Sequence, residues 1–304
     1  MSTPTEPEQE AAEARAKARV LCTDMTLTFK QRMRQHRIKR GLRVSPEPES
    51  DTYVPPEGVT ILYQFLSRRV TRHPGGVVRK SSKGSKEQEA EALRVAEAGG
   101  VPVPHVHGTG VDPADGWDWL AMDYVDGQPL SELWDGMTAA DKSAVAGQLR
   151  AILQTMRAMP PPPQHIGGMR AGDPLRDLRA HFPHAGPACR DEAAFNAYLL
   201  SDFHPQTAKP IRAAFARRLR TDHRVVLTHG DLAPRNVLVK DGTVVALIDW
   251  EEAGWYPEYW EYVKFFQRNA ASQQDWCDYA DEIFPVSYPD EWVDYTAISR
   301  YQSP

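Results

Sequence analysis

Asp231, Asn236 and Asp249 are three oxygen-bearing side chains placed at the ends of short apolar runs in the stretch His229 to Asp249, HGDLAPRNVLVKDGTVVALID. A carboxylate can accept the proton of an attacking hydroxyl, and an amide oxygen with a second carboxylate supplies the hard ligands that Mg²⁺ takes. The chemistry this trio fits is phosphoryl transfer from ATP, with Asp231 as base and Asn236 and Asp249 on the metal.

The flanking letters say how the trio is held. Val225-Val226-Leu227 is a β-branched apolar run that reads as a strand ending just before the loop Thr228 to Asp231. Asn236 opens a second run, Val237-Leu238-Val239, and Asp241-Gly242 turns it back into Val244 to Ile248. Asp-Gly between alternating hydrophobics is a strong hairpin signal. The hairpin is expected to return Asp249 to the side of Asn236, each carried by a strand rather than by a loose loop.

At this point the pattern resembles a known family. His229-Gly230-Asp231 followed by Asn236 is similar to the catalytic loop of the protein-kinase-like superfamily, and glycine at the second position resembles its aminoglycoside phosphotransferase and choline kinase branch. Ile248-Asp249-Trp250-Glu251, with Gly254 to Tyr262 behind it, resembles a large group of fungal members of that branch. The resemblance implies an α+β, two-lobed protein-kinase-like fold, with a small antiparallel-sheet N-terminal lobe and a larger, mainly helical C-terminal lobe. The expected boundaries are residues 1–44 for a tail and basic helical extension, 45–126 for the nucleotide-binding lobe, and 127–304 for the catalytic and acceptor-binding lobe.

Further site residues follow from the resemblance. Lys80, in the strand Gly76 to Lys80, matches the lysine that holds the α- and β-phosphates. Its neighbour Arg79 is the rival, although strand alternation sends the two to opposite faces. Glu89 matches the glutamate that orients this lysine, with Glu87 and Glu91 as alternatives because the helix cannot be phased to a single residue. The apolar strand Trp119 to Val125 resembles the hinge between lobes, so adenine is expected against Met122 and the backbone of Asp123, Tyr124 and Val125. His229 matches a bracing residue rather than a proton carrier. One part departs from the pattern: the phosphate-covering loop is often glycine-rich, but Leu66 to Gly75, LSRRVTRHPG, has a single glycine. Ser67, Arg68, Arg69 or Thr71 would have to cover the phosphates with side chains, or binding is weak. That departure supports a competing reading, a pseudokinase acting as a nucleotide- or ligand-binding regulatory module.

The acceptor is expected to be a small molecule, because Trp250 to Tyr256 leads through Pro257 into a helix and leaves no long segment to hold a peptide. Glu251, Glu252, Trp255 and Glu258 combine acidic and aromatic groups that could hold an amine through charge and cation–π contact. An aminoglycoside-, choline- or sugar-like alcohol is the expected class, and a protein substrate is disfavoured.

The composition is ordinary for a globular enzyme: 304 residues, 41% hydrophobic and 25% charged. A formal net charge of -5 weighs against nucleic acid or an anionic membrane as partner. Three widely spaced cysteines, Cys22, Cys189 and Cys277, form neither a disulfide framework nor a zinc pattern. With no apolar run approaching a membrane span and no signal-peptide core, a cytoplasmic location is the expectation. The basic stretch Lys30 to Arg43 reads as one face of an N-terminal helix, and Ser45 to Pro56 as a linker. His105 and His107 lack further ligands and read as structural. Thr138 with Asp141 resembles a capping box opening a helix that the prolines 160–163 end. Ile166 to Arg190 reads as a long irregular insertion beside the acceptor. Later helices are expected at Asp191 to Ser201, Pro210 to Thr221, Tyr259 to Ala270, Gln274 to Ile283 and Glu291 to Tyr301.

Overall fold

A computed structural model describes residues 53–65, 68–179, 182–269 and 274–302. The basic stretch Lys30 to Arg43 and most of the linker lie outside these residues. The chain divides into two units, Met1–Val54 and Pro55–Pro304, and the described strands and helices belong to the second.

The N-terminal part is one antiparallel sheet. Its strands are β1 (Thr60–Phe65), β2 (Arg68–His73), β3 (Val77–Ser82), β4 (Val106–Val111) and β5 (Asp118–Asp123), in spatial order β1-β2-β3-β5-β4. Helix α1 (Glu87–Ala98) interrupts the meander between β3 and β4. Its Glu89, Ala92, Leu93 and Ala96 are buried, and Glu87 and Arg94 are exposed, as an amphipathic helix lying on a sheet requires. Gly75 and Gly76, at φ 83° and 77°, make the β2–β3 turn in a region of φ that glycine enters freely.

The expected loop Leu66 to Gly75 is mostly the strand β2, and the β-branched and long side chains of RRVTRH account for that. Strand alternation then divides its residues. Arg68, Val70 and Arg72 share the face of Lys80, because Val70 pairs with Lys80 and Arg68 with Ser82. Arg69 and Thr71 lie on the opposite face with Arg79. There Arg69 bonds Asp115 at 2.8 Å and sits over Trp117, while Arg79 bonds Asp112 at 2.9 Å and sits over Trp119.

The C-terminal part begins with β6 (Gln128–Pro129), the single turn α2 (Leu130–Leu133) and the long helix α3 (Ala139–Ala158). A reciprocal capping box starts α3: the Thr138 hydroxyl accepts from the Asp141 N–H, and the Asp141 carboxylate accepts from the Thr138 N–H. Next come β7 (Leu175–Arg179), β8 (Phe182–Gly186), α4 (Glu192–Ser201), α5 (Lys209–Arg218) and β9 (Val225–Thr228). The hairpin β10 (Val237–Lys240) and β11 (Thr243–Leu247) follows, then β12 (Gly254–Pro257) and the helices α6 (Trp260–Asn269), α7 (Gln274–Asp278), α8 (Ala280–Ile283) and α9 (Pro289–Ser299). The single helix expected over Gln274 to Ile283 is thus two short ones broken at Tyr279.

Ile166 to Arg190 is not irregular. It folds into the β7–β8 hairpin, closed at its base by a bridge from Ile166 to Cys189 and fastened to β12 by one from Gly167 to Trp255. A buried ion pair reinforces the attachment, Lys264 of α6 to Asp177 of β7. The Lys264 ammonium also donates to the Tyr295 hydroxyl at 3.1 Å and to Gln267 at 2.7 Å, and it lies 4.5 Å from the centre of a Trp260 ring. Burial alone would favour the neutral amine, but Asp177 outweighs it and the lysine stays charged.

Candidate active site

Strand β9 delivers the chain into the loop His229 to Asp231. At Gly230, φ is 78°, and a Cβ placed there would meet the Glu252 carbonyl oxygen at 2.8 Å. Glycine is the residue that satisfies both conditions. The loop backbone is then held from below by Glu261 of α6, which accepts from the His229 N–H at 2.5 Å and the Gly230 N–H at 3.2 Å. Burial pushes the Glu261 carboxyl up, against the pull of His229 and the two N–H donors.

His229 is fully buried with both ring nitrogens in use: Nδ1 accepts from the Asp231 N–H at 3.2 Å, and Nε2 lies 3.0 Å from the Ile248 carbonyl oxygen. Its ring packs edge-on to Trp250. A histidine so committed is fixed in place beneath the loop.

Asp231 is 5% exposed and sits between two donors. Asn236 donates its amide to the Asp231 carbonyl oxygen at 2.9 Å and to Oδ2 at 3.0 Å, while Arg235 donates one guanidinium nitrogen to both carboxylate oxygens, at 2.7 and 2.6 Å. Committing the Asn236 amide nitrogen in this way leaves Oδ1, the atom a cation takes, without a partner among the described residues.

The β10–β11 hairpin brings Asp249 alongside. Asp241 and Gly242 occupy its turn at φ 49° and 75°, the left-handed pair expected of an Asp-Gly hairpin turn. At the open end the Ile248 N–H donates to the Asn236 carbonyl oxygen at 2.9 Å. One residue on, Asp249 is itself left-handed at φ 65°, an unusual state for a non-glycine residue and one that concentrates at functional sites. The segment from Val101 to Pro104 is tied to the same hairpin, since the Leu247 N–H donates to the Pro102 carbonyl at 2.8 Å.

From the sheet, Lys80 reaches across to this point. Its ammonium bonds Glu89 of α1 at 2.7 Å, forms an ion pair with Asp249, and lies 3.5 Å from Glu251. Burial would favour the neutral amine, but Glu89, Asp249 and Glu251 together push its pKa far the other way. The reciprocal effect on Asp249 overcomes its own desolvation and holds its carboxyl down at about 2. The two alternatives to Glu89 on the helix face elsewhere: Glu87 accepts from Thr109, and Glu91 pairs with Arg170 at 2.9 Å. Arg79, the rival of Lys80, is on the far face of the sheet.

Met122 lies beside Val78 on the Lys80 face, through the pairing of β3 with β5. The Asp123 N–H is used by the His105 carbonyl and the Tyr124 N–H by Gly76, leaving the Val125 N–H without a partner among the described residues. The Asp123 side chain is bound to His107 at 2.8 Å, and Arg72 covers the Tyr124 ring at 3.7 Å. Of the four side chains expected to cover phosphates, Arg68 alone among the described ones faces the site, paired to Glu251 at 2.7 Å. Arg69 and Thr71 are buried in the other face, and Ser67 lies outside the described residues.

The expected acceptor group does not assemble. Trp255 is buried in β12, with its indole N–H on the Met169 carbonyl at 3.2 Å, so no ring face is free for a cation. Glu258 pairs with Arg224 at 3.0 Å beyond the start of β9, the end opposite the catalytic loop. Glu251 belongs with Lys80 and Arg68, leaving Glu252, half-buried beneath Gly230, as the only one of the four beside the loop on this side.

Sequence reasoning missed Arg235, and it grouped Glu261 with the acids that could hold an amine and missed its hold on the loop backbone. The first is signalled by its i,i+4 spacing from Asp231, and the second by one acid and one base, Glu261 and Lys264, inside the otherwise apolar run Trp260 to Phe266.

A buried aspartate clasped by an asparagine, with a sheet lysine bridging a helix glutamate and a hairpin aspartate, is the working layout of a kinase-like phosphotransferase. Residues 65–294 match the phosphotransferase enzyme family, APH, and the chain belongs to it. No protein with a curated description matches the sequence. Among solved structures, the fold is similar to the apo form of a thermostable mutant of aminoglycoside phosphotransferase APH(4)-Ia. That match has a TM-score of 0.54 and 14% identity, over 79% of this chain and 84% of that one. A ternary complex of such a mutant with ADP and hygromycin B matches with a TM-score of 0.52 and 13% identity, over 82% and 95%. The GDP complex of aminoglycoside 2'-phosphotransferase-IIIa matches with 0.50 and 16%, over 81% and 83%. At these identities the likeness is one of fold.

Mg²⁺ can be tested against the residues present. Among the described residues no group of three or more His, Cys, Asp or Glu could hold a metal. Two hard oxygen donors side by side, the unpartnered Asn236 Oδ1 and the strongly acidic Asp249, do fit a cation that completes its shell with phosphate oxygens and water, as Mg²⁺ commonly does. No helix among the described residues is long and apolar enough to cross a membrane.

Proposed function

We propose that the protein transfers the γ-phosphoryl group of ATP to a hydroxyl of a small molecule. The observation that carries this reading is that Lys80 meets Glu89 and Asp249 while Asn236, whose carbonyl oxygen takes the Ile248 N–H, clasps Asp231. Lys80 and Arg68 would hold phosphate oxygens, and Asn236 with Asp249 would hold Mg²⁺, whose role is to neutralise charge on the β- and γ-phosphates. Adenine would lie against Val78 and Met122 and take its hydrogen bond from the Val125 N–H.

In the transfer, Asp231 accepts the proton of the acceptor hydroxyl as that oxygen bonds to the γ-phosphorus. The bond from phosphorus to the β,γ-bridging oxygen breaks, and ADP leaves with that electron pair. Positioning and preorganised charge supply most of the rate. The neighbours with bound ADP and GDP support a nucleotide as donor.

A small acceptor is supported by the chain after Asp249. Trp250–Glu252 is one tight turn, and Gly254–Pro257 returns at once to pair with β9, leaving no length to cradle a peptide. The test is ADP formation from ATP and Mg²⁺ across a library of alcohols, with Asp231→Asn as control. The proposal stands if one acceptor stimulates ADP formation and the substitution removes that stimulation, and it falls if the variant matches the native protein on the best acceptor.

A further inference from the structure

From His229 to Val239 every residue is buried except Arg235. Pro234 opens the short turn Pro234–Asn236, and Asn236 closes it against Asp231, so Arg235 is the one side chain of the loop that stands out toward solvent, 45% exposed, in front of the carboxylate. It holds that carboxylate with a single nitrogen, Nη2. Its Nε and Nη1, which flank Nη2 on either side of the guanidinium, have no partner among the described residues.

We infer that Arg235 reads the acceptor, and that the acceptor is an alcohol carrying an anionic group, carboxylate or phosphate, close to the hydroxyl that is phosphorylated. This rests on Asp231 being the base. An incoming hydroxyl must reach an oxygen that Nη2 now bridges, so any acceptor arrives beside a fixed positive charge. An ammonium group there meets like charge. A carboxylate or phosphate instead accepts a charge-assisted hydrogen bond from the Nε–H or from an Nη1–H, the donors that the Asp231 pairing leaves open. Three of the four residues expected to welcome an amine are committed elsewhere, Glu251 to Arg68 and Lys80, Glu258 to Arg224 and Trp255 to the core, while Glu252 is half-buried beneath Gly230.

Four three-carbon alcohols separate the chemistries: glycerate, glycerol 3-phosphate, glycerol and 2-amino-1,3-propanediol. Their binding is measured by calorimetry on the intact chain without nucleotide. At least one of the two anions binds and the neutral and amino alcohols bind more weakly; which anion is preferred tells carboxylate from phosphate. Arg235→Gln weakens that anion about tenfold or more, Arg235→Lys restores part of the loss, and Asp231→Asn tightens it by releasing Nη2. Binding of glycerol or the amino alcohol as well as either anion overturns the inference. So does unchanged anion binding in Arg235→Gln, or binding of neither anion.

ADP formation with the same four compounds keeps the two readings apart. Turnover of the neutral or amino alcohol, undisturbed by Arg235→Gln, ends the acceptor inference and leaves the transferase standing. Anion binding that depends on Arg235 but never yields ADP with any acceptor does the reverse.

Discussion

The Ile248 N–H donates to the Asn236 carbonyl oxygen at 2.9 Å, so the residue before Asp249 is pinned to the backbone of the other proposed metal ligand. The spacing of the two oxygen donors is set by a main-chain bond at the open end of a hairpin and not by the rotamers of exposed side chains. Mg²⁺ binding is therefore expected to be preorganised, and to be weakened when either donor is removed.

Thermal stabilisation by ATP should require Mg²⁺ and vanish with a chelator, because a ligand that binds the native state must stabilise it. Asn236→Ala and Asp249→Asn should each raise the Mg²⁺ concentration needed for that stabilisation by about tenfold or more. A melting curve that responds to ATP equally in the presence of chelator would refute the assignment.

Lys80→Met leaves Asp249 and Glu89 without their common cation. Asp249 has a folded-state pKa lowered to about 2 from its ordinary 3.8, so its contribution is present above pH 4 and is lost as pH falls toward 2. Its size is about 2 kcal/mol at neutral pH. The stability gap between the native protein and Lys80→Met, measured by denaturant unfolding, should accordingly be widest at neutral pH and narrow between pH 4 and pH 2.5. A gap that stays constant over that range would show that the pair is not linked to folding.

Gly230→Ala forces a side chain into a left-handed residue and against the Glu252 carbonyl oxygen at 2.8 Å. The expected cost is about 1–3 kcal/mol, seen as a fall in Tm of several degrees together with reduced ADP formation. Full stability in this variant would mean that the loop backbone is free to reshape.

Lys264→Met strands Asp177 in the core and should destabilise by about 3–5 kcal/mol. Adding Asp177→Leu to the same chain should recover most of the loss, since a matched apolar pair has no buried charge to satisfy. Equal destabilisation in the single and double variants would show that the ion pair does not act as a unit.

What was legible in the sequence was local. Asp241-Gly242 declares its own turn through the left-handed conformations both residues adopt, and with it the return of Asp249 to Asn236. Thr138 with Asp141 declares the start of α3 in the same way. Direction across the fold was harder. Trp255 and Glu258 follow Asp249 closely, but β12 runs back along β9, burying one and carrying the other to the far end, and sequence proximity does not encode that reversal. The stretch Leu66 to Gly75 misled for a related reason: a lack of glycine looked like a deficient loop when the residues belonged to a strand. Phasing α1 needed the sheet beneath it, which alone separates Glu89 from Glu87 and Glu91. Arg235 went unnoticed because its importance lies in being the exposed exception within a buried loop, a property of the surroundings rather than of the residue.

The position of Lys80 has a further consequence. Its ammonium already satisfies three carboxylates drawn from a helix, a hairpin and the turn after that hairpin. Phosphates reaching it would join a competition and not fill a void, so nucleotide binding is an exchange of partners whose net affinity is a difference between two well-satisfied alternatives. A cation arriving with the nucleotide to occupy Asp249 would release the lysine at the moment it is needed. Donor and metal would then each bind better in the other's presence, and the empty protein would keep its own charges neutralised while it waits.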